Sequence, residues 1–124
     1  LGLGTDTYDL ILMVMTYHDI YFASESWPAV NRDNFFSQIH SALKPGGVLA
    51  VIDHSAKAGT GKSEAQKLHR IDEEFARKDI ESAGFTLASS SDILRNSDDD
   101  RTKSVFDKSI RRKTDRFIYR FVKE

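Results

Sequence analysis

Two short polar clusters carry most of the chemistry this chain could perform. Thr16-Tyr17-His18-Asp19 follows directly on the apolar run Leu10–Met15, and Asp53-His54 follows the apolar run Val48–Ile52. An imidazole beside a carboxylate is the usual equipment for taking and returning a proton. The same side chains are ligand types for divalent ions, but the spacing fits a hydrogen-bonded polar network around a small-molecule pocket better, and no metal is expected. A third group, His69-Arg70-Ile71-Asp72, brings an imidazole and a carboxylate three residues apart, with Arg70 suited to an acidic substrate group. Tyr17 and Tyr21 offer ring faces that could hold a cation.

Ala56–Ser63 fits a relaxed phosphate-binding loop with Ala in place of the first glycine, between a strand and a helix. Asp53-His54-Ser55 separates it from its strand, and no later apolar strand ends in the aspartate that would hold magnesium. Nucleotide-phosphate binding is therefore the second reading. Asp98-Asp99-Asp100 reads as a solvated turn, and Arg111, Arg112, Lys113 and Arg116 as a solvated basic face.

These clusters must be positioned by a single modest domain of 124 residues. Apolar residues make up 40% and charged residues 30%, enough for a buried core and too ordered a pattern for wholesale disorder. With 18 basic against 19 acidic side chains there is no basic surplus for nucleic acid. No apolar run approaches the roughly 20 residues of a membrane helix. Cysteine is absent, which excludes disulfide scaffolds, zinc–thiolate sites and thiol nucleophiles. No targeting segment is visible, so the compartment stays unknown, with the cytoplasm as the default.

Along the chain, Leu10–Met15 has the unbroken apolarity of a strand buried on both faces. Ala29–Lys44 reads as an amphipathic helix with Pro28 at its start, stopped by Pro45-Gly46-Gly47. Val48–Asp53 is a second apolar strand. Two strands joined by a helix run parallel, so their polar ends share the carboxyl edge of the sheet, where open α/β sheets bind ligands. Glu64–Ala83 follows as one helix, with Leu68, Ile71, Phe75, Ile80 and Ala83 on one face and Gly84 closing it. Phe85–Ser90 is a weaker strand. Ser91–Asp115 is turn-rich with one short helix near Asp107–Lys113, and Arg116–Val122 is a last strand with Phe117, Tyr119 and Phe121 on one face.

The ordered set Tyr17-His18-Asp19, Leu43-Lys44-Pro45-Gly46-Gly47-Val48, Asp53-His54-Ser55-Ala56, Leu68-His69-Arg70-Ile71-Asp72 and Leu94-Arg95-Asn96 resembles class I S-adenosylmethionine-dependent methyltransferases. More narrowly, it is similar to a group of predicted bacterial methyltransferases of unassigned substrate. The resemblance implies a three-layer α/β, Rossmann-like fold. It implies that residues 1–124 form the C-terminal portion of one methyltransferase domain, supplying the fourth to seventh strands in the order 4-5-7-6, the last antiparallel. The family's glycine-rich cofactor loop and ribose-binding acid have no counterpart here.

The implied activity is methyl transfer from S-adenosylmethionine to a small molecule by the complete protein, with this segment inactive alone. Thr16 and Tyr17 would then lie by the donor. His18, Asp19 and His54 would be base or orienting groups at the acceptor, and His69 and Arg70 would bind substrate. Leu10–Met15, central in such a domain, becomes a sheet edge in this segment and must pair with an N-terminal segment or a second copy of the chain. Two other readings remain open: a phosphate-loop phosphotransferase, and a non-catalytic association module built on the same half-fold.

Overall fold

The computed structural model describes residues 1–124. Strand β1, Tyr8–Val14, leads through a 3-10 turn, Tyr17–Tyr21, to helix α1, Arg32–Ala42. Strand β2, Leu43–His54, is followed by helices α2, Ala65–Leu68, and α3, Glu73–Ser82, and by strands β3, Phe85–Ser91, and β4, Arg116–Lys123. The sheet order is β1-β2-β4-β3. β1 and β2 are parallel, paired from Leu10↔Val48 to Val14↔Ile52, so the polar residues beyond both strands leave the same edge. β4 is antiparallel to both of its neighbours, inserted between the second and third strands of the chain as the resemblance implied. No helix is long and apolar enough to cross a membrane.

One face of the sheet carries the core. Met13, Leu49, Val51, Phe117, Tyr119 and Phe121 alternate along three strands and meet Phe36 and Ile39 of α1 and Ala76 and Ile80 of α3. Burying a side chain such as Phe117 or Phe121, both fully covered, contributes about 1.5–3 kcal/mol. The other face is open. Leu10, Leu12 and Val14 are 51%, 60% and 45% exposed, so β1 is covered on one side only, which corrects the expectation of a strand buried on both faces. A continuous apolar run fits a doubly covered strand, and the second cover is not supplied by these residues.

Four further features differ from the sequence reading. α1 begins at Arg32, because Asn31 caps it by accepting the Asn34 N–H at 2.9 Å; Pro28 lies in the segment before it. Lys44-Pro45-Gly46-Gly47 does not terminate a helix but bulges within β2, where pairing with β1 lapses between Tyr8↔Leu43 and Leu10↔Val48. Gly46 there has φ +77°, and a Cβ on Gly47 would lie 2.8 Å from the Lys44 carbonyl oxygen.

The helix expected over Glu64–Ala83 is two helices. His69 adopts φ +57°, Ile71 forms a parallel bridge to Ser55, and Asp72 starts α3 by accepting the Glu74 N–H at 3.0 Å. Spacings of three and four residues persist across such a break, so periodicity alone could not reveal it. The short helix expected near Asp107–Lys113 is a set of hydrogen-bonded turns, with Ile110 and Arg111 both donating to the Asp107 carbonyl.

Candidate active site

The site begins where β1 ends. Met15 takes a left-handed φ of +55° while its N–H still reaches the Ile52 carbonyl at 2.7 Å, and the chain then tightens into the 3-10 turn. That turn tips His18 across the end of β2, where Asp53 is completely buried. The Asp53 carboxylate accepts three hydrogen bonds: from the His18 backbone N–H at 2.7 Å, the His18 ring at Nδ1 at 2.8 Å, and the His54 N–H at 2.8 Å. An ionised carboxylate accepts only, so Nδ1 carries a proton and Nε2 is the atom free to exchange one. Nε2 faces Asp19 Oδ1 at 3.2 Å. Burial pushes the His18 pKa down, but the hydrogen bond and charge of Asp53, with the charge of Asp19, outweigh it and hold it above the ordinary value.

His54 stands 5.8 Å from His18, ring centre to ring centre, and its Nδ1 pairs with Thr114 Oγ1 at 2.6 Å. Burial, the largest cause, pushes its pKa down to about 4, so this imidazole is neutral at physiological pH. His69 comes in from the opposite side, its ring centre 5.5 Å from that of His18. Phe22 and Phe106 flank it at 4.7 and 5.0 Å. Burial and the neighbouring His18 push the His69 pKa down. The left-handed break after α2 is what carries His69 into this group.

Two expected site residues turn elsewhere. Tyr17 is fully buried and its hydroxyl donates to Asp79 at 2.5 Å, alongside the Tyr21 hydroxyl, so its ring face is spent in the core rather than offered to a cation. Arg70 is also fully buried. Its guanidinium donates to both carboxylate oxygens of Asp99 at 2.7 and 2.9 Å, and to the Ser55 and Lys103 carbonyls at 3.0 and 2.8 Å. It is a structural anchor, not a free hand for substrate. Asp99 is correspondingly not part of a solvated turn. Asp115, next to it, accepts from Asn96 N–H at 2.8 Å and from Arg101 Nε at 3.0 Å within the long 92–115 connection. Its carbonyl accepts the Ser55 N–H at 2.9 Å, which pins that connection just beyond the end of β2.

The glycine loop is closed to phosphate by its own chain. The Gly59 and Gly61 N–H groups both donate to Asp72 Oδ2, at 2.9 and 3.3 Å, and α2 beyond it has only four residues. Thr16 is exposed and lies with Asp19, Trp27 and Ile20 on an otherwise apolar groove of about 350 Å³ beside β1.

Sequence reasoning named Asp53 without its role as the clamp on His18, and missed Phe22, Phe106, Asp99 and Asp115. Asp53 had a signal, its place directly after an apolar strand. The others had none, because their partners lie far away in the sequence.

No family model matches the chain, and no curated protein matches it in sequence. Solved structures match it in fold. The [4+2]-cyclase SpnF overlays with a TM-score of 0.62 at 17% identity, over 99% of this chain and 52% of that one. A SAM-dependent methyltransferase from Aquifex aeolicus gives 0.61 at 16%, over 98% and 49%. A methyltransferase of Haloferax volcanii, in complex with the Trm112 methyltransferase activator, gives 0.59 at 16%, over 98% and 56%. The chain has the class I methyltransferase fold, Rossmann-like, with a mixed four-stranded sheet and flanking helices. It spans about half the length of these three structures.

Proposed function

We propose that this chain is the C-terminal part of a single S-adenosylmethionine-dependent methyltransferase domain that acts on a small molecule. One fold neighbour is a cyclase, so the fold alone does not fix the reaction; the observation that carries the proposal is the Asp53–His18 clamp at the carboxyl edge of two parallel strands. When bound, the donor supplies an electrophilic methyl group on a positively charged sulfur. The groove beside β1 suits such a cation: it combines the Thr16 hydroxyl, the Asp19 carboxylate and the Trp27 ring in an apolar setting.

Methyl transfer is mostly alignment. With the donor bound, His18 would be placed to take the acceptor's proton on Nε2. Asp53 stabilises the resulting imidazolium from one side, and Asp19 accepts its hydrogen bond on the other. Neutral His54 orients the acceptor, and His69, between Phe22 and Phe106, packs against it. The uncovered edge at Leu10–Met15 pairs with the other half of the domain or with a second copy, so this segment alone runs larger than a monomer in gel filtration.

The decisive experiment is calorimetric titration with S-adenosylhomocysteine. The complete protein is expected to bind and residues 1–124 alone are not; absence of binding to the complete protein overturns the proposal. His18→Gln should then lower turnover about 10²–10⁴-fold, the usual contribution of a general base, while donor binding is unchanged.

A further inference from the structure

The trio His18, Asp19 and His69 raises a question of charge. His18 Nε2 faces a carboxylate oxygen at 3.2 Å. With Nδ1 clamped by Asp53, the approach of Nε2 to a carboxylate oxygen is favourable when a positive centre lies between them, and a proton or a metal ion meets that need equally. The His69 ring nitrogen completes the group: one ligand atom from each of His18, Asp19 and His69 lies within 4.8 Å of the other two. Ligands of one tetrahedral ion with bonds near 2.0–2.2 Å sit about 3.3–3.5 Å apart, so the first pair already has that spacing. The widest pair must close by at most about 1.5 Å, within the reach of a side-chain rotation.

The surroundings match a metal site in a second respect. A ligating histidine ordinarily donates its remote N–H to a carboxylate, which fixes the tautomer and raises its basicity. Asp53, completely buried and 2.8 Å from His18 Nδ1, occupies that position. His69 makes no side-chain hydrogen bond within the chain, and Phe22 and Phe106 shield its ring. From this we infer that His18, Asp19 and His69 form a binding site for a borderline divalent transition-metal ion of the zinc, cobalt or nickel kind. Two imidazoles and one carboxylate favour such ions over magnesium or calcium, which prefer oxygen alone. Three protein ligands leave at least one position open at the mouth of the site. The inference rests on the proposed function only for what that position would hold, an acceptor oxygen made more acidic by the ion, which then replaces His18 Nε2 in activating the acceptor; binding itself needs no methyl transfer.

Cobalt(II) is the probe. Titrating the complete, metal-stripped protein with cobalt chloride, followed by calorimetry and visible absorption, is expected to show one saturable site with the intense bands of four- or five-coordinate cobalt. Asp19→Asn and His69→Asn should each weaken affinity at least tenfold, and Asn suits the left-handed backbone at residue 69. Asp53→Asn should weaken it less, through loss of the clamp. His40→Gln, on α1 outside the trio, should change nothing, and circular dichroism checks that each variant is folded. Absence of a saturable site, or equal binding by the wild type and His69→Asn, overturns the inference. Methyl transfer that persists in chelator while cobalt fails to bind would overturn the metal and leave His18 as the proton acceptor. Cobalt binding without donor binding would do the reverse.

Discussion

Two buried polar clusters meet at the carboxyl edge of β2, and they differ in how far each is completed by the chain itself. In one, Arg70, Asp99 and Asp115 close on one another. The guanidinium has both carboxylate oxygens of Asp99 and two carbonyls, and Asp99 also accepts the Asp115 N–H at 2.7 Å and the Arg101 N–H at 3.0 Å. In the other, Asp53 is saturated but its chain of contacts ends at His18 Nε2, Asp19 and His69. No buried side-chain nitrogen or oxygen lacks a partner, so the atoms left open in the second cluster are those at the solvent mouth. Buried polar groups are nearly always satisfied within a protein. The closed cluster is architecture, and the open one has bonding capacity left for a ligand.

That distinction predicts opposite consequences for substitution. Asp99→Ala strands a wholly buried guanidinium, and breaking a buried pair in this way costs about 3–5 kcal/mol. Urea unfolding should show that loss at neutral pH. A cost below about 1 kcal/mol would mean that the pair is solvated and the clusters are not different in kind.

The same pair sets a pH dependence. Burial pushes the Asp99 pKa up, but the Arg70 hydrogen bonds and the Asp115 and Arg101 N–H groups outweigh it and hold the carboxyl below the ordinary range. A carboxyl whose folded value lies below its unfolded value of about 3.9 contributes stability that is complete above that value and disappears as the pH falls through the folded one. Unfolding midpoints measured from pH 7 down should therefore drop as the pH falls below about 4, and Asp99→Asn should flatten that part of the fall. An unchanged acid limb in the variant would remove Asp99 as its source.

The two clusters were not equally legible. The open one announces itself locally: His18-Asp19 and Asp53-His54 each follow an apolar run, and parallel pairing of those runs brings them together. The closed one depends on Arg70 meeting Asp99 across 29 positions, a contact without periodicity or spacing to betray it, so Arg70 read as a substrate anchor and Asp99 as a turn. Strand identity followed from unbroken apolar runs in β1 and β2 and from alternation in β4, and the sheet order from the resemblance. What alternation could not give was the covering of each face: Leu10, Leu12 and Val14 are as apolar as core residues but lie in the open. Tyr17 shows the reverse error, since a ring face at a strand end suggested a ligand contact while its hydroxyl, donating to Asp79, drew it inward.

The smallest expected effect is the sharpest test of the comparison. His69 makes no side-chain hydrogen bond, its aromatic neighbours are themselves partly or largely exposed, and its left-handed backbone is one that Asn tolerates. His69→Asn should therefore leave thermal unfolding within about 0.5 kcal/mol of the parent, the range of substitutions that break no buried interaction. Metal affinity should nevertheless fall at least tenfold. If stability falls by as much as in Asp99→Ala, His69 belongs to the architecture and the open cluster is smaller than drawn. If stability holds and metal affinity falls, the open cluster and the closed one are separated by a residue that the fold does not need.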